Sequence, residues 1–123
     1  MKVLLIEDDP LLIDIYSTKL KESGFEVEVA ENGEKGLSML EQSVPNVVLL
    51  DIVLPKQNGW EVLQSIRSNE QLKGLKVVLL SNLGQKEEIE KGLSLGADRY
   101  LIKAHFTPTQ VVEELQKLLQ TIN

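Results

Sequence analysis

The acidic residues of this chain are concentrated where two apolar runs end. Glu7, Asp8 and Asp9 follow the run KVLLI near the amino terminus, and Asp51 follows the run VVLL. Two like charges about 4 Å apart repel by roughly 4 kcal/mol at the effective dielectric near a protein surface, so adjacent carboxylates indicate a bound cation. Magnesium commonly takes one or two carboxylates together with waters and phosphate oxygens. We therefore predict that Asp8, Asp9 and Asp51 bind Mg2+, with Glu7 adding negative charge rather than ligating directly.

A carboxylate beside a bound cation can also act as a nucleophile toward phosphorus, as in enzymes that form aspartyl phosphates. Asp51 is the candidate for this role. Phosphoryl transfer requires stabilisation of the equatorial oxygens, which a cation and a lysine can provide, and a hydroxyl can donate one more hydrogen bond. Lys103 and Ser81 each follow a further apolar run and are the candidates for these two functions.

The elements that would position these residues can be read from the apolar pattern. Runs at residues 3–6, 47–50, 77–80 and 100–102 have the length of strands buried on both faces. Residues 25–30 alternate apolar with acidic side chains, which is typical of an edge strand with one exposed face. Between the strands, apolar residues recur every three or four positions, which predicts five amphipathic helices. Their apolar faces comprise Leu12 or Ile13 with Tyr16 and Leu20; Leu37, Leu40 and Val44; Leu63 and Ile66; Ile89 and Leu93; and Val111, Leu115, Leu118 and Ile122.

Strand and helix therefore alternate five times, with no linker or low-complexity segment between them. This order, with right-handed crossovers, predicts an α/β fold in which helices cover both faces of a parallel sheet. Ligands of such folds bind beyond the carboxyl ends of the strands. The predicted strands bring the three amino-terminal acids, Asp51, Ser81 and Lys103 to that rim. We expect a single domain over residues 1–123.

The composition of the chain argues against several classes of function. A length of 123 residues suits one domain, and a net charge of −6 without a basic cluster opposes binding to nucleic acid. No apolar stretch approaches the roughly 20 residues of a membrane span, and the first apolar run is too short for a signal peptide. Cysteine is absent, which excludes thiolate metal sites and fits a reducing compartment. We expect a cytoplasmic protein that does not contact membranes.

Taken together, these positions resemble the receiver domain of two-component response regulators, as in the chemotaxis regulators. The resemblance rests on an acidic pair after the first strand, Asp51 at the start of DIVLPKQNG, Ser81 after the fourth strand and Lys103 after the fifth. It extends over essentially the whole chain. It implies a flavodoxin-like, doubly wound, five-stranded parallel sheet with strand order 2-1-3-4-5 and five helices. It also implies a phosphoacceptor rather than an enzyme that turns over an external substrate.

The resemblance assigns roles at the acidic end of the site. Asp51 would accept a phosphoryl group from a phosphohistidine on a histidine kinase or a histidine phosphotransfer protein. Asp9 and Asp51 would ligate Mg2+ directly, together with the backbone carbonyl of Val53, while Asp8 would act through water. Asp9 also precedes Pro10, so on its own it would be interpreted as a helix N-cap, and the two functions can coexist.

The resemblance also implies a conformational switch. Lys103 would pair with the phosphoryl oxygens and Ser81 would hydrogen-bond them. Tyr100 would move inward with Ser81 and reshape the face formed by helix 4, strand 5 and helix 5, which would change the binding of a downstream protein. Plain packing at the edge of the sheet is the alternative for Tyr100.

This sequence departs from the family pattern directly after Lys103. Ala104 stands where the family has a proline joined by a cis bond, and a cis bond before a non-proline residue costs about 2.5–4 kcal/mol. We therefore predict a trans Lys103–Ala104 bond, or a mixed population, with a locally altered loop. Val53 and Leu83 occupy positions that tune hydrolysis of the aspartyl phosphate in this family. Because both are apolar and cannot orient water, we predict a slowly hydrolysing phosphoform.

Three other functions remain as alternatives. A Mg2+-dependent phosphatase with an aspartyl nucleophile carries a second aspartate two residues on, where this chain has Val53. A flavodoxin-like flavin carrier would bring its phosphate against the acids at positions 7–9, which is unfavourable. An unphosphorylated docking module would leave the intact acceptor and lysine without a function. The fifth helix lacks the arginines that dimeric relatives use, which favours a monomer or a weak dimer.

Overall fold

A computed structural model of the chain describes residues 1–120. The elements are β1 (Lys2–Ile6), α1 (Pro10–Glu22), β2 (Glu26–Ala30), α2 (Gly33–Gln42), β3 (Val47–Leu50), α3 (Gly59–Ser68), β4 (Lys76–Ser81), α4 (Lys86–Ser94), β5 (Arg99–Ile102), a 3-10 turn (Lys103–His105) and α5 (Pro108–Gln120). Within this range, no helix combines the length and the apolar character that crossing a bilayer requires.

The five strands form one parallel sheet in the order β2-β1-β3-β4-β5. This confirms the predicted flavodoxin-like, doubly wound fold with five helices. Ile6 of β1 is the register partner of Leu50 of β3, so both strands end at the same level. The residues that directly follow them, Glu7 and Asp51, therefore leave the sheet side by side.

Successive strand residues face two separate cores, as the pleat of a strand requires. Val3, Leu5, Val47 and Leu49 belong to the core against α1 and α5, whereas their neighbours Leu4, Ile6, Val48 and Leu50 belong to the core against α2 and α3. All four residues of β3 have 0 % exposure, which confirms a central strand buried on both faces.

The predicted edge strand is also confirmed. β2 lies at the end of the sheet and pairs only with β1 among the described strands. Its Val27 and Val29 pack against the core on the α1 side. Glu26 is exposed, and Glu28 forms an ion pair with Lys2 at 2.8 Å. The acidic positions of the alternating pattern are therefore the ones that meet solvent.

Two helix faces differ from the pattern. Val44 lies beyond the end of α2 and is 54 % exposed, because Ser43 already has an extended backbone with φ of −157°. Leu93 is 48 % exposed, because α4 rests on the sheet through Gly92, the one buried residue of that helix. Both residues were wrongly predicted to be part of an apolar face. Ile122 lies outside the described residues.

Candidate functional site

Two buried carboxylates lie next to each other at the carboxyl ends of β1 and β3. Glu7 is 1 % exposed and Asp51 is 7 % exposed. The Lys103 ammonium lies between them, and its Nζ donates to Glu7 Oε1 at 2.8 Å and to Asp51 Oδ2 at 2.9 Å. A single lysine thus bridges two acids from neighbouring strands, and the structure brings Asp51 and Lys103 together as the sequence predicted.

Backbone N–H groups hold the remaining oxygens of these acids. Glu7 Oε2 accepts from the N–H of Asp8 at 3.0 Å and from the N–H of Asp9 at 3.1 Å. Asp51 Oδ1 accepts from the N–H of Ile52 at 2.7 Å. Each carboxylate therefore uses one oxygen to bind its own loop and the other to bind Lys103. This fixes the orientation of both carboxylates before any ligand arrives.

The ionisation of these groups follows from burial and pairing. Burial raises the pKa of Glu7, and repulsion from Asp51 adds to this increase, although the hydrogen bond from Lys103 opposes it. Burial alone would lower the pKa of Lys103, but its hydrogen bonds to Glu7 and Asp51 outweigh burial and raise this pKa above its ordinary value. Lys103 is therefore positively charged at neutral pH.

Three acids could hold a metal ion at this rim. Glu7, Asp8 and Asp51 each offer a carboxylate oxygen, and these oxygens all lie within 4.8 Å of one another. Carboxylate oxygens are the hard donors that magnesium prefers. With only one ammonium beside three carboxylates, the cluster is rich in negative charge, so the donor set fits a divalent cation.

Asp9 does not belong to this group. Its Oδ1 accepts from the N–H of Leu11 at 2.9 Å, so its carboxylate is the N-cap of α1. The two acids whose oxygens converge with those of Asp51 are therefore Glu7 and Asp8, whereas Asp8 and Asp9 were predicted, and a ligand role for Asp9 beside its capping role stays a prediction. The reason is the register of the sheet, because the first residue after Ile6 is the one that meets Asp51. Counting from the end of the apolar run could have found this pair.

Val53 lies in the loop after Asp51 and is 63 % exposed. Its backbone N–H donates to Asp51 Oδ1 at 3.4 Å, so the loop turns closely around the carboxylate. The proposed contribution of the Val53 carbonyl to a metal site stays a prediction.

Ser81 and Tyr100 meet at Leu83. Ser81 is 1 % exposed, and its Oγ accepts from the N–H of Leu83 at 3.2 Å. The Tyr100 hydroxyl donates to the carbonyl of Leu83. Burial raises the pKa of Tyr100, and a hydrogen bond with Ser81 partly opposes this increase. The ring is thus directed inward, against the loop that joins β4 to α4.

The chain after β5 keeps Lys103 in place without a cis peptide bond. The Lys103–Ala104 bond is trans, as predicted, and residues Lys103–His105 form a single 3-10 turn. Lys103 begins this turn and still reaches both acids.

Two glycines that were not among the predicted site residues pack tightly around the loop after Asp51. A Cβ on Gly59 would lie 2.4 Å from the carbonyl oxygen of Asp51, and a Cβ on Gly33 would lie 2.0 Å from the carbonyl oxygen of Gln57. The Gly59 N–H also donates to the Ile52 carbonyl at 2.8 Å. In the sequence, the turn signals Asn58-Gly59 and Asn32-Gly33 mark these two positions.

A parallel sheet of this strand order, with acids, a hydroxyl and a lysine at its carboxyl edge, defines a flavodoxin-like, doubly wound fold with a charged site at the usual ligand-binding position. The sequence model of the response regulator receiver domain family matches residues 3–116. The chain belongs to this family.

Individual relatives agree with this result. The chain is 40% identical over 123 residues to the probable transcriptional regulatory protein SilR of Salmonella typhimurium, covering 100% of this chain and 53% of that protein. The receiver domain of the Francisella response regulator 1452 superposes with a TM-score of 0.91 at 28% identity, covering 99% of this chain and 98% of that chain. The phosphorylated cyanobacterial phytochrome response regulator RcpA has a TM-score of 0.86 at 27% identity, covering 99% and 95%. The chain spans about half the length of the curated relatives it matches.

Proposed function

We propose that Asp51 accepts a phosphoryl group from a phosphohistidine of a histidine kinase or a histidine phosphotransfer protein. The observation that carries this proposal is the buried Asp51 carboxylate, with the Lys103 ammonium 2.9 Å from its Oδ2. RcpA, whose structure has the same fold, is a phosphorylated response regulator. In the reaction, an Asp51 oxygen attacks phosphorus, the phosphorus–nitrogen bond breaks, and the imidazole leaves as the acyl phosphate forms.

The residues that would hold Mg2+ are Glu7, Asp8 and Asp51, with the Val53 carbonyl as a further ligand. Their oxygens already converge to within 4.8 Å of one another, which supports the proposal for the three carboxylates. When bound, the ion would offset the negative charge of the phosphoryl oxygens and of the carboxylates. We assign Asp9 to the cap of α1, because its carboxylate accepts from the Leu11 N–H.

Lys103 would stabilise the transferred group. Its ammonium lies between Glu7 and Asp51, so it is available to the oxygens of a phosphoryl group on Asp51 without leaving Glu7. The raised pKa of Lys103 keeps it cationic at neutral pH. Charge stabilisation of this kind is the main protein contribution to phosphoryl transfer.

The signal would travel through Leu83. Ser81 Oγ and the Tyr100 hydroxyl both bind the backbone of Leu83, so a movement of Ser81 toward the phosphoryl group would change the β4–α4 loop and the anchor of Tyr100 together. The face formed by α4, β5 and α5 would then change its affinity for a downstream protein. We propose no contact of this domain with nucleic acid, and a monomeric or weakly dimeric state.

We do not expect this domain to turn over an external substrate. A phosphatase that uses an aspartyl nucleophile needs a general acid two residues on, where this chain has the exposed and apolar Val53. The remaining alternative is a docking module that binds its partner without phosphorylation.

Intact-mass spectrometry after incubation with acetyl phosphate and Mg2+ tests the proposal, with Asp51→Asn as the control. We expect one phosphoryl adduct that requires Mg2+ and is absent from the control. The absence of any adduct with acetyl phosphate or with phosphorylated kinases would support the docking module. Persistence of the adduct in Asp51→Asn would assign the acceptor to another residue.

A further inference from the structure

α4 approaches the sheet at a single buried position, Gly92. A Cβ on this glycine would lie 2.7 Å from Leu79 Cδ1, 2.8 Å from Tyr100 Cδ2 and 3.2 Å from Tyr100 Cε2. The first two distances are shorter than any ordinary contact of a Cβ atom. The space that a side chain at position 92 would occupy is therefore already filled by the ring of Tyr100 and by Leu79.

The position of the ring is determined from two other sides. Leu79 of β4 and Tyr100 of β5 are register partners, so their side chains lie next to each other on the same face of the sheet. At its far end, the Tyr100 hydroxyl donates to the Leu83 carbonyl. The ring thus has β4 beside it, the β4–α4 loop at its tip and the backbone of α4 above it.

We infer that Gly92 is a positioning residue for Tyr100, because the absence of a side chain there creates the space in which the ring lies inward. Helix stability gives no reason for this glycine, since glycine in a helix interior is less favourable than alanine. Its backbone does not require glycine either, because the described glycines with positive φ are Gly24 and Gly96. Close packing against Tyr100 and Leu79 is the remaining reason.

What the inference says about signal transmission from Asp51 to the face formed by α4, β5 and α5 rests on the proposed function. Gly92→Ala would overpack this contact and exclude the inward ring or move α4 away from the sheet. Asp51 would still accept a phosphoryl group, because Gly92 does not contact the acidic site. Phosphorylation would no longer be transmitted to the face formed by α4, β5 and α5.

A double-mutant cycle on the unphosphorylated protein tests the packing itself. We expect Gly92→Ala to lower Tm in the wild-type background and to lower it clearly less in a Tyr100→Ala background, where the overlap with the ring is gone and only that with Leu79 Cδ1 remains. Gly74→Ala is the matched control, since nothing lies within 4 Å of a Cβ at that position. Ser94→Ala, at an exposed position of α4, controls for helix propensity. Equal effects of Gly92→Ala in both backgrounds would overturn the inference.

The position of the ring can be read directly by 19F NMR after labelling with 3-fluorotyrosine. The chain has two tyrosines, and Tyr16, which is buried on α1, serves as the internal reference. We expect Gly92→Ala to shift the Tyr100 resonance and leave that of Tyr16 in place, with the inward population reduced about tenfold. An unchanged Tyr100 resonance would contradict the inference.

The two proposals fail separately. In Gly92→Ala treated with acetyl phosphate and Mg2+, we expect the same phosphoryl adduct as in wild type, without a return of the Tyr100 resonance to its wild-type position. If wild type itself forms no adduct, the proposed function fails. The double-mutant cycle on the unphosphorylated protein still tests whether the Tyr100 ring occupies the space beside Gly92. A phosphorylated Gly92→Ala with a wild-type resonance would overturn the role of Gly92 alone.

Discussion

Glu7 and Lys103 are 96 positions apart in the sequence and are joined by a hydrogen bond of 2.8 Å. This contact makes Glu7 part of the site, because Lys103 binds Asp51 with the same ammonium. It also separates Glu7 from Asp9, whose carboxylate is directed to the first turn of α1. Glu7 and Asp9 are close in sequence, but Glu7 binds Lys103 after β5, whereas Asp9 caps α1.

The first prediction distinguishes these two acids by metal binding. We expect Glu7→Gln to weaken Mg2+ binding about tenfold or more, because it removes a carboxylate from the converging group. Asp9→Asn should bind Mg2+ within about twofold of wild type, because asparagine also caps a helix and leaves the group intact. Isothermal titration of the two variants with MgCl2 measures both values. The opposite ranking would restore Asp9 as a ligand and assign Glu7 a purely electrostatic role.

The second prediction concerns pH. The pKa of Glu7 is raised above its ordinary value of 4.5, first by burial, so the folded protein holds the proton more strongly than the unfolded chain does. Stability contributed by this group is therefore present below pH 4.5 and is lost as pH rises through the folded pKa of Glu7. In metal-free buffer, we expect wild type to gain stability relative to Glu7→Gln as pH falls through the interval from the folded pKa of Glu7 down to pH 4.5. Urea unfolding of both proteins at several pH values measures the difference. A constant difference across the interval would rule out titration of Glu7 as its source.

The fold could be predicted from the sequence because the clearest patterns in the sequence are the apolar ones that burial of strands requires. Val47–Leu50 is an unbroken apolar run, and such a run suits a strand with helices on both sides. The alternation of Val27 and Val29 with glutamates likewise indicates one wet face, which in a parallel sheet covered by helices on both sides is expected at an edge strand. Periodicity was less informative for α4, because it counts apolar residues such as Leu93 and gives no weight to a glycine that contacts the sheet.

The site was harder to predict than the fold. Which two of three consecutive acids face Asp51 depends on where β1 stops in register with β3 and on how the chain then turns into α1, where Asp9 becomes the N-cap. Composition cannot supply this information, since all three acids have the same charge. Asp51 and Lys103 were easier, because each stands alone after its apolar run and has no neighbour of the same type.

The third prediction tests the close packing behind the acceptor. A Cβ at Gly59 would lie 2.4 Å from the Asp51 carbonyl oxygen and 2.5 Å from Ile52 Cα. Because both are backbone atoms that cannot rotate away, we expect Gly59→Ala to destabilise the fold by about 1–3 kcal/mol and to slow phosphorylation. Gly74→Ala, with open space around its Cβ, should change stability by less than about 1 kcal/mol. Urea unfolding and the rate of adduct formation measure the two effects. Equal stability of both variants would mean that the backbone after Asp51 can move to accommodate a Cβ at position 59 without loss of stability.

The fourth prediction uses the single tryptophan of the chain as a reporter. Lys91 Nζ on α4 lies 4.5 Å from the centroid of the Trp60 ring, and Trp60 directly follows Gly59. This cation–π contact joins α4 to the segment behind Asp51. We expect Lys91→Ala to cost about 0.5–1 kcal/mol and to change the tryptophan emission. Lys86→Ala, which removes an exposed lysine from the same helix, is the control. Unchanged emission in Lys91→Ala would show that the contact is absent in solution.

The last prediction concerns the lifetime of the phosphorylated state. Hydrolysis of an acyl phosphate requires a water molecule oriented toward phosphorus, and a side chain that hydrogen-bonds this water accelerates the reaction. Val53 is adjacent to the acceptor loop, exposed and apolar, and Leu83 at the other side of the site is also apolar. Neither side chain can orient water, so we expect slow loss of the phosphoryl group. Val53→Asn, which adds a hydrogen-bonding amide at an exposed position, should shorten the half-life several-fold, whereas the near-isosteric Val53→Thr should have a smaller effect. Intact-mass time courses after removal of acetyl phosphate measure these half-lives. If Val53→Asn decays no faster than wild type, the lifetime is controlled by access to Asp51 rather than by the orientation of water.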